Sequence, residues 1–278
     1  ILPMSKPSNL IHNVKFTKPN KEKEIFLYEG DYNNFSFEKH IHEEYTITLI
    51  ERGNMGAFLR GFNHKFDKSS IITINPEEIH SCGILSKEGF KHHSLYISTD
   101  IMNNILKENF NSNLLSFKNF QFSNEVIYQK LYPLMKYDSA IFSKLSWECE
   151  LIEAISSVLK INTKVSNEIV LPSNYKLVNY AKEFINDNYS QNFTLDDFAK
   201  EFDISKYHFL RLFKKHTFVS PHTYLMIRRV EKAKQFLRKN ANISEIAYLC
   251  GFTDQSHLNK KFKQLTGTTP GVYKKFFL

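Results

Sequence analysis

The sequence predicts an α+β protein: an antiparallel β-barrel over the first part of the chain, then helices, then an all-α C-terminal domain. Three observations predict it. Between Ile25 and Ser98 short runs alternate apolar and polar residues and stop at turn residues. From about Asp100 the apolar period becomes that of a helix. Near the C-terminus one helical segment recurs, with a register offset of 49 residues.

The elements follow in order. Residues 1–24 are polar and basic, carry Pro3, Pro7 and Pro19, and read as an arm or loose lead-in. Ile1–Pro7 show neither a long apolar stretch nor a small-residue cleavage site, so no signal peptide is expected. Tyr45–Ile50 and Ser70–Ile74 read as strands, with breaks expected at Gly30–Asp31, Arg52–Asn54 and Gly61–His64. Short strands at this spacing suit a barrel or sandwich. Further on, Ile141, Leu145, Ile152, Ile155 and Leu159 recur at helical spacing, widened by Trp147, Leu151 and Val158, while Glu148, Glu150 and Glu153 fall mainly on the other side. This amphipathic helix serves either as a dimer interface or as packing on the barrel. Residues 162–174 lose the period and contain Pro172, which places the linker there and assigns domains to 1–165 and 172–278. Everything after the linker reads as helical.

Composition narrows the function classes. A length of 278 residues favours two domains, and 42% apolar content with 25 Phe excludes a disordered chain. The charge is uneven. Residues 172–278 hold 18 Lys/Arg against 9 Asp/Glu, a net +9, whereas residues 1–171 sum to −1. The basic excess therefore belongs to the C-terminal segment and points to a polyanion, nucleic acid first and acidic membrane second, or else to a solvated basic surface. Cys82, Cys149 and Cys250 are scattered without disulfide or zinc spacing, which fits a reducing compartment. No apolar run approaches the roughly 18 residues of a membrane span, so a cytoplasmic location and no membrane partner are expected. No Ser/His/Asp, phosphate-loop or dinucleotide-binding pattern occurs, so neither an enzyme activity nor a cofactor is expected.

The repeat carries the strongest signal. Ala199 matches Ala247 and Ile204 matches Phe252. One residue is then gained in the second turn, after which Ser205, His208, Phe213, Lys214, Thr217, Pro221 and Tyr224 match Asp254, His257, Phe262, Lys263, Thr266, Pro270 and Tyr273. Each copy has the physics of a helix-turn-helix: a short first helix with a small Ala at the close approach, a turn, an N-cap Ser or Asp, and a second helix with apolar residues at i and i+4. The exposed face of that second helix carries Lys206, Tyr207, Leu210 and Arg211 in copy one, and Gln255, Ser256, Asn259 and Lys260 in copy two. These types suit base edges in a major groove: Arg or Lys for guanine, Asn or Gln for adenine, and Leu at most for a thymine methyl. Ser205, Lys206, Lys214, Lys215, Lys261 and Lys263 are the candidate phosphate contacts. Pro221–Arg238 reads as one helix, about 27 Å long at 1.5 Å per residue. A spacer of that size could hold two recognition helices roughly one DNA turn, about 34 Å, apart.

Ile246–Tyr273 resembles the signature of the AraC/XylS family of transcription regulators, I-A-x-x-x-G-F-x-D-x-S-x-F-x-R-x-F-K-x-x-x-G-x-T-P-x-x-Y, and the resemblance extends over roughly 100 residues. It implies base contacts at Tyr207, Leu210, Arg211, Gln255, Ser256, Asn259 and Lys260. Three departures stand out. Leu258 replaces a usual Phe in the core, Lys260 replaces a usual Arg, and Phe218 stands where copy one usually has Gly. A Lys is a point charge and reads guanine less well than the Arg fork.

In the N-terminal part, His40 and His42 precede one strand and His80 follows another. A His-x-His with a distant third His is a metal-like constellation. It also resembles the motifs of cupin barrels, and a cupin-like sensor domain is common in the family. A catalytic metal cupin adds a Glu four or five residues after the second His, where this chain has Thr46 and Ile47. Three roles are open to the histidines: lining an effector pocket, supporting its wall, or holding a metal. We assign them as effector-binding, with no metal ligand named. Arg60, Tyr28 and Tyr45 are further candidates for orienting an effector. The resemblance implies a homodimeric regulator, more often an activator, that binds double-stranded DNA and a small-molecule effector and can contact RNA polymerase. Two alternatives are a cupin-type metal-dependent enzyme fused to a DNA-binding module, and a regulator controlled by a protein partner without a ligand.

Overall fold

Alternation of apolar and polar residues builds the first part of the chain. The computed structural model describes residues 13–20, 24–85, 88–110, 115–165 and 173–277. They form two compact units: the first holds the described residues up to Ser36 and from His42 to Val165, and the second holds Phe37–Ile41 together with the described residues from Ser173 on.

The first unit contains strands β1 (Asn13–Thr17), β2 (Ile25–Tyr32), β3 (Tyr45–Gly53), β4 (Met55–Leu59), β5 (Phe62–Phe66), β6 (Ile71–Ile74), β7 (His80–Ile84) and β8 (Phe90–Ile97), then α1 (Thr99–Phe110), β9 (Leu115–Phe117), β10 (Gln121–Phe122), α2 (Glu125–Lys136), α3 (Lys144–Asn162) and β11 (Thr163–Val165). Six strands pair in the order β1-β2-β8-β3-β6-β10, three in the order β5-β4-β7, and β11 pairs with β9, all antiparallel. A bridge between Ser36 and Gly83 adds to the strand pairing. The α+β class and the antiparallel sheets are those expected from the sequence.

The pleat divides the large sheet into two chemically distinct faces. Ile25, Leu27, Tyr45, Ile47, Leu49, Leu95 and Ile97 share a core with α1, α2 and α3, into which Leu131, Trp147, Leu151, Ile155 and Leu159 also pack. The indole of Trp147 donates to Leu134 O at 2.9 Å, which satisfies its buried N–H. The alternate residues Tyr28, Tyr32, Thr46, Thr48, His92, Ser94 and Tyr96 form the inner, polar and aromatic face.

Several expectations are corrected. Residues 13–17 of the expected loose lead-in form β1, paired with β2; Pro3 and Pro7 lie outside the described residues. Gly30–Asp31 are not a break but lie inside β2. A Cβ on Gly30 would meet the rings of Tyr32, Tyr28 and His92 at 2.5, 2.9 and 3.0 Å, so the missing side chain makes room for an aromatic cluster. The turn near Gly61 consists of Arg60 and Gly61, both at positive φ, and Phe62–His64 are already strand. Ile141 precedes α3, and the apolar stripe splits: Trp147, Leu151, Ile155, Val158 and Leu159 are buried, while Ile141, Leu145 and Ile152 are exposed. Asn162, expected to open the linker, is fully buried. Its amide donates to Thr73 Oγ1 and Asn119 O, and its carbonyl accepts from Asn119 N at 2.7 Å. Residues 163–165, expected as linker, are β11; Pro172 lies outside the described residues.

The second unit is helical as expected: α4 (Ser173–Asp187), α5 (Leu195–Glu201), α6 (Lys206–Thr217), α7 (Pro221–Arg238), α8 (Ile243–Leu249), α9 (Gln255–Thr266) and α10 (Pro270–Lys275). Ser220 caps α7 and Pro221 occupies its first turn, where the absent N–H costs nothing. Among the described residues no helix is long and apolar enough to cross a membrane.

Candidate nucleic-acid interface and histidine cluster

Each repeat folds as a helix-turn-helix because its caps and turn leave the chain few alternatives. In copy one, Thr194 and Asp197 form a reciprocal capping box at the start of α5. The turn then places Asp203 at φ 50°, and Ile204 N donates to Ala199 O at 3.1 Å. Ser205 Oγ accepts from His208 N at the start of α6. Phe209, Leu212 and Phe213 are buried, which turns Tyr207, Arg211, Lys214 and Lys215 outward; Leu210 and Lys206 are partly exposed. Lys206 Nζ lies 3.1 Å from the Asp196 carboxylate, so this candidate phosphate contact already has an acidic neighbour.

Copy two repeats the design. Asn242 caps α8, Gly251 takes φ 77°, and Phe252 N donates to Ala247 O at 2.9 Å. Asp254 Oδ1 accepts from His257 N at 2.8 Å. Leu258, Phe262 and Leu265 are buried. Gln255, Ser256, Lys260 and Lys263 are exposed, and Asn259 and Lys261 are partly so. Each expected set of base-facing residues thus shares one open helix face, with the lysines nearby. The Leu258 departure is a core position with no exposure.

Arg229 of α7 is a positioning residue that the sequence reading missed. Its guanidinium is buried and donates to Tyr189 O and Gln191 O, both at 2.8 Å, and to Asn192 Oδ1 at 3.0 Å, which pins the loop before α5 to the spacer helix. Burial lowers its pKa, opposed by the nearby Cys250. Gly251 lies against it: an added Cβ would stand 2.4 Å from Ser190 O and 2.9 Å from the guanidinium. Asp203 was also missed, although its alignment with Gly251 in the repeat is the signal that marks both as turn residues.

In the first unit His42 and His80 come together, whereas Phe37–Ile41, and with it His40, groups with the second unit. Glu77 N donates to His42 O at 2.8 Å and so ties the turn before β7 to the His42 segment. The rings of His42 and His80 are 4.9 Å apart, and Tyr96 meets His42 edge-on at 5.0 Å. Nδ1 of His40 lies 2.7 Å from Glu38 O, and Nδ1 of His80 lies 2.8 Å from Glu78 O. Elsewhere on the inner face Tyr28, Tyr32, Phe90 and His92 fill the space over Gly30. Burial, and then the charge of His93, push His92 down to about 3, so it stays neutral. The Cys82 thiol is pushed up to about 12 by burial.

Two of the further effector candidates have other partners in the fold. Tyr45 faces the helices. Arg60 binds the Glu78 carboxylate and the carbonyls of Phe117 and Lys118, and is a clamp between strand and loop. Tyr28 does lie on the inner face.

The comparisons with known proteins follow the same division of the chain. Residues 22–127 match the AraC-like ligand binding domain, and residues 198–275 match a helix-turn-helix domain. Over 248 residues the chain is 27% identical to the uncharacterized HTH-type transcriptional regulator YbfI of Bacillus subtilis (strain 168), covering 86% of this chain and 87% of that one. It is 30% identical over 94 residues, 34% of each chain, to the HTH-type transcriptional activator RhaS of Salmonella arizonae. The structure of unsaturated fatty acid bound wild-type ToxT from Vibrio cholerae strain SCE256 superposes with a TM-score of 0.56 over 98% of both chains at 16% identity, a likeness of fold. A ligand-binding sheet domain followed by a double helix-turn-helix defines a DNA-binding transcription regulator. The chain belongs to the AraC family of these regulators.

Proposed function

We propose that this regulator reads its operator with two non-equivalent helices, α6 through Tyr207, Leu210 and Arg211, and α9 through Gln255, Ser256, Asn259 and Lys260. Ser205, Lys206, Lys214, Lys215, Lys261 and Lys263 hold the phosphates. The observation that carries this reading is the repeated arrangement itself: in both copies, cap, turn and buried i/i+4 pair leave one polar helix face open. The side-chain chemistry then assigns guanine to Arg211, adenine to Gln255 and Asn259, and at most a thymine methyl to Leu210. Residues 172–278 form the DNA-binding domain and residues 1–165 the sensor and dimerisation domain.

The sensor takes a small-molecule effector on its inner face, at His40, His42 and His80. RhaS is named an activator and ToxT is described with a bound unsaturated fatty acid; an activator acting through RNA polymerase in the cytoplasm, under control of an effector, fits both names. Exposed Ile141, Leu145 and Ile152 supply the apolar contact of a homodimer.

Selection of bound sites from a random DNA pool by the full chain tests the reading. Two preferred base clusters about one helical turn apart are expected, and Asn259→Ala should relax preference at an adenine in one cluster only. Uniform binding of all sequences, or unchanged preference in the variant, would overturn it.

A further inference from the structure

We propose that the segment Phe37–Ile41 and DNA compete for one surface of the helical unit, with the Glu38 carboxylate standing on Lys261 in the place of a DNA phosphate. The segment belongs to the second unit, and it is held at the C-terminal ends of both recognition helices.

Three contacts fix it there. Glu38 N donates to Gln264 O at 3.2 Å. Lys39 Nζ donates to Phe218 O at 3.0 Å. Lys261 Nζ lies 3.8 Å from the Glu38 carboxylate. The first two contacts follow from the chemistry of helix ends. Gln264 lies in the last turn of α9, and Phe218 caps α6. Both carbonyls therefore sit where the helix supplies no N–H of its own and where its partial charge is negative. A backbone N–H and an ammonium are the groups that such an end takes. One short segment thereby touches both helices that carry the candidate base contacts.

The third contact bears on function. Positive charge is dense around Lys261: burial, and then Arg229, Lys261 and His257, hold the pKa of His222 at the start of α7 below its ordinary value. Such a patch attracts a polyanion. Glu38 and Lys261 are both partly exposed, so their pairing contributes little to the fold, and its effect falls on the binding equilibrium. A DNA strand that takes Lys261 must first part it from Glu38. A carboxylate left beside the backbone also repels the phosphate. The Asp196–Lys206 pair differs in origin. That acid lies within the same repeat as its lysine, whereas Glu38 comes from between β2 and β3. An acid carried on a separate segment leaves the surface when the segment leaves, which makes the contact a point of control.

The inference rests on the phosphate-contact reading of Lys261, and the test separates the two. Binding of the full chain to a random-sequence duplex is measured against salt for wild type, Glu38→Gln, Lys261→Ala and the double variant. Glu38→Gln should tighten binding several-fold at low salt and steepen the slope of log affinity against log salt by up to about one. Lys261→Ala should lower the slope, and in that background Glu38→Gln should gain little. In wild type, hydrogen exchange of residues 37–41 should speed up when the duplex is added, because the Glu38 N–H loses Gln264 O. Exchange that does not speed up overturns the competition without reference to any variant. So does the absence of a gain from Glu38→Gln, or a gain that persists in full without Lys261. Each of these leaves the phosphate reading intact where Lys261→Ala lowers the slope. If Lys261→Ala keeps the affinity and slope of wild type, the phosphate reading of Lys261 fails, and the competition falls with it.

Discussion

Phe218 and Gly267 occupy the same position in the two repeats: each ends a recognition helix in the left-handed region, at φ 60° and φ 77°, and donates its N–H to the carbonyl four residues back, Lys214 O or Lys263 O. Glycine takes this C-cap conformation freely, whereas a side chain crowds the following carbonyl at a cost of roughly 1–2 kcal/mol. Phe218→Gly should therefore stabilise the helical unit by about 1 kcal/mol, reduced somewhat by the extra freedom of glycine in the unfolded chain. Urea unfolding of the full chain measures it. A loss of stability would mean that contacts of the Phe218 ring outweigh the backbone strain.

Gly251 and Arg229 share a space that admits no further atom. Gly251→Ala combines a positive φ with a Cβ 2.4 Å from Ser190 O, so the loop or the guanidinium must move. A destabilisation above about 2 kcal/mol is expected. Arg229→Met leaves the carbonyls of Tyr189 and Gln191 without their donor, at about 1–3 kcal/mol, and Arg229→Lys should not restore the planar fork. Thermal unfolding of the three variants checks both statements; recovery in the lysine variant would show that charge alone suffices.

The helical unit was legible because its rules are local. Caps Ser205 and Asp254, the buried pairs Phe209/Phe213 and Leu258/Phe262, and the turn all lie within a few residues of each other in sequence. The sheet unit was less so, because its decisive contacts are distant. Gly30 reads as a turn until the rings of Tyr28, Tyr32 and His92 are known to need its volume. Arg60 reads as a pocket residue until its partners Phe117 and Lys118 arrive from the far side of α1. Asn162 looked like linker because no local pattern foretells its bonds to Thr73 and Asn119. The histidines were visible as a motif, but their tautomers required the carbonyls of Glu38 and Glu78.

A partly buried charge network on the large sheet makes the sheet unit sensitive to acid. His93, fully buried, bonds the Glu51 carboxylate, and Lys91 bridges Glu51 and Glu29 at 3.3 and 2.9 Å. Burial alone raises the Glu51 pKa, but the hydrogen bonds and charges of His93 and Lys91 outweigh it, and the net displacement is below the ordinary value. A carboxyl depressed on folding stabilises the native state above its unfolded pKa, and that contribution is lost as pH falls through the folded pKa. Glu51→Gln should thus melt well below wild type at neutral pH, with the gap closing as pH drops below about 4. A gap independent of pH would assign the loss to packing rather than to charge.

Arg211 and Lys214 lie one helical turn apart on the open side of α6 and should fail in different ways. If Arg211 reads guanine as proposed, Arg211→Ala should lower affinity for the preferred site by about 1–3 kcal/mol while binding to unrelated DNA changes little. If Lys214 holds a phosphate as proposed, Lys214→Ala should weaken binding to all sequences alike and lower the slope of log affinity against log salt by roughly one. Salt-dependent binding curves on specific and random duplexes separate the two. A sequence-selective loss for Lys214→Ala would place it on a base.

The Asp196–Lys206 pair, 3.1 Å apart on an exposed surface, sets a limit on what α6 gives to DNA. An exposed pair of this kind is worth about 0–1 kcal/mol to the fold, so its loss is tolerable, but the aspartate also repels an approaching phosphate and competes for the lysine. Asp196→Asn should leave stability nearly unchanged, tighten DNA binding several-fold at low salt, and steepen the salt slope as Lys206 becomes a full phosphate contact. Lys206→Ala in the same background should return the slope to that of wild type. If Asp196→Asn leaves affinity and slope unchanged, Lys206 does not reach the DNA backbone, and the phosphate contacts of copy one reduce to Ser205, Lys214 and Lys215.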